Sequence, residues 1–228
     1  MAKRWDNLEM EWELLAELSD DDRRRFLAIT RRRRFAKNEV VFHAGDPGDS
    51  LHLVAKGRFA VRSGTPSGDV TMLSVLGAGR FFGELALVGE PGLRAATVTA
   101  LELAETLSVG RAEFERLRTA YSCVDRVLVV ALASEVRRLS ALVMEMLYVP
   151  AETRVLRQLL AVAELWGGAS PGLIVPFTQE DLAGLAGTTR PTANRTLRQA
   201  ELAGLVSLRR GHIELVDPAG LSVRARVS

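Results

Sequence analysis

One cysteine and three histidines are the only thiol and imidazole metal ligands in 228 residues. Cys123 alone closes no internal disulfide and supplies no four-cysteine zinc or iron–sulfur site. With only His43, His52 and His212 besides, no transition-metal cluster is expected, and a single-histidine haem ligand stays open. Long hydrophobic runs are missing too: the longest, residues 127–133, is far too short to cross a bilayer. The first residues lack a secretory pattern, which leads us to expect a cytoplasmic protein with no membrane partner. Neither a catalytic dyad nor a Walker-type loop is present, so no enzyme is expected. An excess of one charge is lacking overall, with 30 basic against 28 acidic residues. The placement is less even. Between 188 and 212 stand Arg190, Arg195, Arg198, Arg209 and Arg210 against Glu201 alone, the local excess that a nucleic-acid face needs.

The length suggests two domains, each able to bury its own core. Trp5, Leu8, Trp12, Leu15 and Leu18 recur at helical spacing, and Ser19 with Asp22 resembles a capping box opening a second helix through Leu27. Arg31 to Arg34 read as a solvated edge of helix and strand rather than a nucleic-acid patch. From 39 to 109 the texture is short β-branched runs, at 39–43, 51–55, 59–63, 70–75, 95–100 and 104–109. Turns stand between them at Gly45-Asp46-Pro47-Gly48, Lys56-Gly57, Pro66-Ser67-Gly68 and Gly77-Ala78-Gly79. Many short strands at this spacing indicate a small antiparallel roll or barrel.

Within that region, residues 81–100 read FFGELALVGEPGLRAATVTA. Gly83 lets backbone approach a ligand closely, and the turn from Leu85, if helical, aims free N–H groups at an anion. Arg94, ten residues past Glu84, can close on the same anion bidentately, while Glu84 can accept from sugar hydroxyls. FGELAL…RAAT resembles the phosphate-binding cassette of the cyclic-nucleotide-binding domain, and HAGDPGDSLHLVAKGRFAVR resembles the glycine framework that precedes it.

Past Gly110 the chain turns helical. Val129, Leu132, Val136, Leu139, Val143 and Met146 are spaced 3, 4, 3, 4, 3, with valine at each a position. That seam favours a parallel two-stranded coiled coil; the other reading is a helix packed on its own domain. Pro150 should end this helix near Tyr148 and place a hinge there. A helix follows over 152–166, then a strand at 173–176. Thr178 with Asp181 caps a helix over 179–186, Gly187 makes the turn, and Thr189 caps a second helix. That helix carries Arg190, Pro191, Asn194, Arg195 and Arg198 on one face and Ala193, Leu197 and Ala200 on the other. This is the helix-turn-helix pattern, and strands at 206–208 and 213–216, joined through Arg209 and Arg210, make a wing.

TQEDLAGLAGTTRPTANRTLRQAELAGLV resembles the winged-helix reading head of the cyclic-AMP receptor and FNR-type bacterial transcription regulators, and with the cassette the resemblance spans nearly the whole chain. It implies an α+β chain: a cyclic-nucleotide-binding β-roll at 1–120, a dimerisation helix and hinge at 121–149, and a winged helix-turn-helix at 150–228. It further implies a homodimer, cyclic AMP as allosteric effector, a palindromic duplex DNA operator, and RNA polymerase as partner. Carried over, Gly83, Glu84, Leu85, Arg94 and Ala95 form the pocket. Glu84 would hold the ribose 2′-hydroxyl, Arg94 the cyclic phosphate, and the Ala95 amide an exocyclic oxygen. Alanine at 95, where many bacterial members have Ser or Thr, tilts the reading toward cyclic AMP. The adenine-touching Thr-Ser pair of the long helix falls on Leu139 and Ser140, leaving only Ser140. The DNA-facing set is Thr178, Thr189, Arg190, Pro191, Thr192, Asn194, Arg195 and Arg198, with Arg209 and Arg210 in the wing. Pro191 stands where the family's best-known arrangement, reading TGTGA, has a glutamate. Two other readings stay open: a vestigial pocket on a nucleotide-independent DNA binder, or a nucleotide sensor acting on a protein partner.

Overall fold

The computed structural model describes residues 12–64, 70–88 and 92–226. Trp5, Leu8, the Pro66-Ser67-Gly68 turn and the Gly89-Glu90-Pro91 stretch lie outside these. The chain divides into two units, Met1–Gly64 with Ser74–Glu135, and Thr65–Leu73 with Val136–Ser228. Among the described residues no helix is long and apolar enough to cross a membrane.

The first unit opens with a 3₁₀ turn, Glu13–Leu15, and α1, Asp20–Ala28. The Asp22 amide donates to Ser19 Oγ at 3.2 Å, and the Ser19 hydroxyl donates back to Asp22 Oδ2 at 2.7 Å. Asp20, Asp21 and Asp22 then sit in the first turn, where the helix dipole favours negative charge. Eight strands follow along the chain, the first four residues of β5 being assigned to the second unit: β1 Arg31–Phe35, β2 Val40–Phe42, β3 Ser50–Lys56, β4 Phe59–Gly64, β5 Val70–Leu76, β6 Phe81–Phe82, β7 Thr97–Ala100 and β8 Ala104–Gly110. A short α2, Leu85–Val88, interrupts them. They form two four-stranded sheets, β1-β8-β3-β6 and β2-β7-β4-β5.

Alternation decides which side chains meet which core. On β3, Leu51, Leu53 and Ala55 join Trp12, Leu15, Phe26, Phe114 and Leu128 beneath the helices. Val54, between them, points the other way and packs with Phe35, Phe59, Phe82 and Val98 between the sheets. Trp12 fastens the N-terminal segment by donating its indole N–H to Val54 O at 3.0 Å.

Two strands add to the sequence reading. The Arg31–Arg34 run is the solvated edge the sequence reading expected, and with Phe35 it forms a whole edge strand, β1, paired along its length with β8. Arg32 and Arg34 share one face and straddle Glu105 of β8 at 3.3 and 3.0 Å. Phe81–Phe82 adds a further short strand beside β3.

Helix α3, Arg111–Ala120, is followed by α4, Ser122–Tyr148, which ends where Pro150 requires. The second unit holds the last part of α4, then α5 Ala151–Leu165, β9 Ile174–Val175, α6 Gln179–Leu185, α7 Arg190–Leu202, β10 Val206–Arg209 and β11 His212–Leu215. A final helix, α8 Pro218–Arg226, was not anticipated; Asp217 Oδ1 accepts from the Gly220 amide at its start, and Leu221 and Ala225 are buried. Strand order in the small sheet is β10-β11-β9. By their contacts the two units meet inside α4, at Glu135/Val136.

Candidate ligand pocket and nucleic-acid interface

The cassette is built around Arg94. Its guanidinium lies 4.1 Å from the Phe42 ring centre. Nη1 donates to Ser50 O at 2.8 Å and Gly83 O at 3.0 Å; Nη2 donates to Asp49 Oδ1 at 3.2 Å and Ser50 Oγ at 3.1 Å. Gly83 is the residue that permits this. Its φ is +91°, and a Cβ there would stand 2.6 Å from Arg94 Nη1 and 2.9 Å from Ser50 O. The GDPG turn also gains a role beyond turning: Gly45 N donates to Arg94 O, Arg94 N to Asp46 O and Gly48 N to Gly92 O. Those bonds bind the 45–48 loop to the arginine's own segment.

Two buried polar atoms of this cassette have no protein partner, Glu84 Oε2 and Arg94 Nε. Burial raises the Glu84 carboxyl above its ordinary pKa, against the opposing pull of a backbone hydrogen bond and Arg94. The Arg94 guanidinium is pushed down by burial and held up by Asp49. A buried unpaired acceptor and a buried unpaired cationic donor in one cassette fit a ligand offering hydroxyls and an anionic phosphate. Glu84 O accepts from the amides of Leu87 and Val88, which sets α2 directly after it. Leu85 and Ala95 are exposed. Ser140 belongs to the other unit, and its hydroxyl donates to Val136 O of its own helix at 2.9 Å.

Sequence reasoning missed two residues here. Arg111 Nη2 donates to Ala86 O at 2.7 Å and Gly48 O at 2.8 Å, and Nη1 to Leu87 O at 3.3 Å, holding α2 against the GDPG loop. His52 is buried, stacked on Phe82 with centroids 5.0 Å apart, its Nε2 3.3 Å from Ser50 Oγ and its Nδ1 3.1 Å from Thr106 Oγ1. Burial, with Arg94 and Arg33 nearby, lowers its pKa to about 3, so the ring is neutral.

In the second unit, the capping box is complete: Asp181 N donates to Thr178 Oγ1 at 3.1 Å and Thr178 N to Asp181 Oδ2 at 2.9 Å. Gly187 turns at φ +57°. Thr189 caps α7, accepting from the Thr192 amide, with Pro191 in the first turn, where its missing N–H is not needed. Ala193, Thr196, Leu197 and Ala200 are buried, and Arg190, Pro191, Asn194, Arg195 and Arg198 are exposed, as the face assignment required. Arg195 reaches Glu152 at 3.8 Å and Arg198 reaches Glu201 at 2.8 Å. Glu201 also accepts from the Leu208 amide, tying the wing to α7. A cleft of about 320 Å³ opens between the N-termini of α6 and α7 and the wing, lined by Thr178, Gln179, Arg190, Arg209, Arg210 and His212 among others.

Comparison with known proteins joins the two sites. Residues 32–121 match the model of the cyclic nucleotide-binding domain, and 153–224 that of the Crp-like helix-turn-helix domain. The class is thereby defined: a transcription regulator, not an enzyme, in which a cyclic-nucleotide-binding module precedes a DNA-binding head. The chain is 31% identical over 193 residues to the cyclic AMP receptor protein of Thermus thermophilus, covering 85% of this chain and 87% of that one. It belongs to the CRP/FNR family of transcription regulators. A CRP-like cAMP-activated global transcriptional regulator of Mycobacterium tuberculosis is 27% identical over 195 residues, 84% of this chain and 87% of its own length. Among solved structures, the Thermus thermophilus catabolite activator protein aligns over 93% of this chain and 98% of its own, with 29% identity and a TM-score of 0.54. The c-di-GMP responsive regulator CLP of Xanthomonas campestris shares the fold at a TM-score of 0.75, 23% identity and 87% coverage of this chain against 99% of its own.

Proposed function

We propose that the chain is a homodimeric transcription regulator whose affinity for a palindromic operator is set by cyclic AMP in the β-roll. The observation that carries this reading is the pair of buried, unpartnered atoms, Glu84 Oε2 and Arg94 Nε, in one cassette. Glu84 takes the ribose 2′-hydroxyl, Arg94 the cyclic phosphate and the Ala95 amide an exocyclic oxygen; of the Thr-Ser pair on α4 only Ser140 is left for the base. Dimerisation rests on the seam: Val129, Val136 and Val143 are more than half exposed on α4, which needs a partner helix to cover them. Arg190, Arg195, Arg198, Arg209 and Arg210 face the duplex, and RNA polymerase is the partner at the promoter. A reader of chromosomal DNA works in the cytoplasm.

One observation favours a second reading. All four Nη hydrogens of Arg94 are already engaged by protein oxygens, as in a pocket that works without nucleotide. Calorimetry with cyclic AMP, cyclic GMP and c-di-GMP separates these readings. Tight, selective binding of cyclic AMP, with tighter operator binding in its presence, supports the first. No heat with any of the three supports the second.

A further inference from the structure

Arg154, on the first turn of α5, is 7% exposed, and every hydrogen-bond acceptor it reaches is a neutral backbone carbonyl. Nη1 donates to Val149 O at 2.7 Å, with Met146 O at 3.4 Å and Glu145 O at 3.5 Å alongside. Nε donates to Ala186 O at 2.9 Å and Nη2 to Gly187 O at 3.0 Å. These carbonyls come from two places: the last turn of α4 with Val149 just after it, and the turn between α6 and α7. Both are helix C-termini, where the helix dipole is negative and carbonyls lack intrahelical partners, Glu145 O excepted because it accepts from the Val149 amide at 2.9 Å. One guanidinium therefore caps two helices at once, its fixed fork spanning acceptors that a lysine ammonium reaches only a few at a time.

Two neighbouring contacts strengthen the same junction. Met146, the last d position of the seam, lays its methyl where a Cβ on Gly187 would stand, so the α6–α7 turn packs directly on α4. Glu145 pairs with Arg157 at 3.3 Å, and Arg157 donates to Ala225 O of α8 at 3.0 Å. The Val149-Pro150 step is therefore no free joint; it is bridged on both sides.

We propose that Arg154 is the positioning residue that couples the long helix to the recognition helix. It makes the end of α4 and the helix-turn-helix one rigid piece, so that what nucleotide does to α4 is delivered to α7. The proposal rests on the reading that nucleotide changes DNA affinity, and its test is arranged to separate the two.

The test compares wild type and Arg154→Lys for cyclic-AMP affinity without DNA, and for operator affinity with and without cyclic AMP. Coupling should fall from the about 5- to 150-fold typical of allosteric sites to less than about threefold in Arg154→Lys, with nucleotide affinity changed less than about twofold. Wild-type coupling in the variant overturns the proposal. So does an equal loss of operator affinity with and without nucleotide, which is what a residue that only holds the fold would give. Should the wild type show no nucleotide response, the functional reading fails while the clamp stays open to measurement. Spin labels at Leu147→Cys and Gln199→Cys, in a Cys123→Ser background diluted with unlabelled subunits, report the distance from α4 to α7. A narrow distribution that broadens in Arg154→Lys supports the clamp, and equal widths overturn it.

Discussion

Arg94 Nη2 lies 3.2 Å from Asp49 Oδ1, in an ion pair whose arginine side chain is 2% exposed and whose aspartate is 85% exposed. The asymmetry says which partner a ligand can displace. A carboxylate so open to water gives up little when it leaves, about 1 kcal/mol or less. Asp49→Ala should therefore change cyclic-AMP affinity by less than about fivefold. Arg94→Lys keeps the charge but loses the fork, and a lost charged hydrogen bond of about 1.5–3 kcal/mol weakens binding about ten- to a hundred-fold. Calorimetry on both variants, each checked for native circular dichroism, decides; similar losses in the two would remove Arg94 as the phosphate ligand.

Glu84→Gln should move stability and binding in opposite directions. A carboxylate with a buried, unpartnered oxygen carries a desolvation cost that no protein donor offsets, so the neutral isostere should stabilise the ligand-free protein by about 1 kcal/mol. Losing the charged acceptor should weaken cyclic-AMP binding about tenfold. The sign with pH follows from the raised pKa. As pH climbs out of the ordinary carboxylate range the unfolded chain releases this proton first, so Glu84 takes stability away until its folded pKa is passed. The stability gap between variant and wild type should thus widen from acid to neutral pH in denaturant titrations. A gap of constant size would show that Glu84 titrates alike in both states.

His52 gives the opposite slope. Its folded pKa is about 3 against an ordinary 6.5, so below 6.5 the unfolded chain gains a proton that the folded one refuses. Its contribution is complete above the unfolded pKa and is lost as pH falls toward 3. Between about pH 7.5 and 5.5 the wild type should lose about 1.4 kcal/mol more than His52→Gln. Unfolding followed through buried Trp12, in the same unit, measures it, and parallel pH curves for the two proteins would contradict it.

What the sequence disclosed was whatever leaves a local signature. Ser19, Thr178 and Thr189 announce helix starts because capping needs a hydroxyl at a fixed offset, and Gly187 announces its turn. Glu84 and Arg94 were singled out through their spacing, and each has a buried atom without a protein partner. Strand β1 was not, because four arginines in a row carry no apolar alternation; pairing with β8 and the Glu105 charge make it a strand. Helix α8 had its Asp217-Pro218 start but only Leu221 and Ala225 buried beyond it. Arg111 and Arg154 are invisible for a stronger reason: their acceptors are backbone carbonyls up to 63 positions away, which no residue type encodes. Asp49 and Ser50 were read only as part of a glycine framework, and folding turned them into the clamp on Arg94.

Leu139→Lys tests the seam. Leu139 is 45% exposed on α4 between Val136 and Val143, at 62% and 54%, so the subunit itself leaves this stripe uncovered. A lysine at this d position sets two ammonium groups facing one another in a two-stranded coiled coil. Sedimentation should show monomers or a much weakened dimer, with thermal unfolding of each unit little changed. A dimer of wild-type stability would mean that α4 is not the interface.

Operator sequence is where Pro191 matters. Arg190 opens α7, Pro191 follows in its first turn, and Arg195 lies on the same exposed face. Proline leaves the helix intact because an amide there has no intrahelical partner to lose. It offers no side-chain acceptor, however, so a cytosine amino group at the facing base pair goes unread. The arginines are free to read guanine: among the described residues Arg190 has no ion-pair partner, and the 3.8 Å contact of Arg195 with Glu152 is exposed and cheap to break. Each bidentate arginine–guanine pair is worth about 1–3 kcal/mol of discrimination. Two-fold symmetry of a dimer places the half-sites about one helical turn apart. Selection from random duplexes should therefore return a palindrome with fixed guanines opposite Arg190 and Arg195 and relaxed choice at the base pair facing Pro191. Pro191→Glu should restore cytosine preference at that pair, by about tenfold for a pair worth about 1.4 kcal/mol. Full stringency for TGTGA in the wild-type selection would overturn the argument from Pro191.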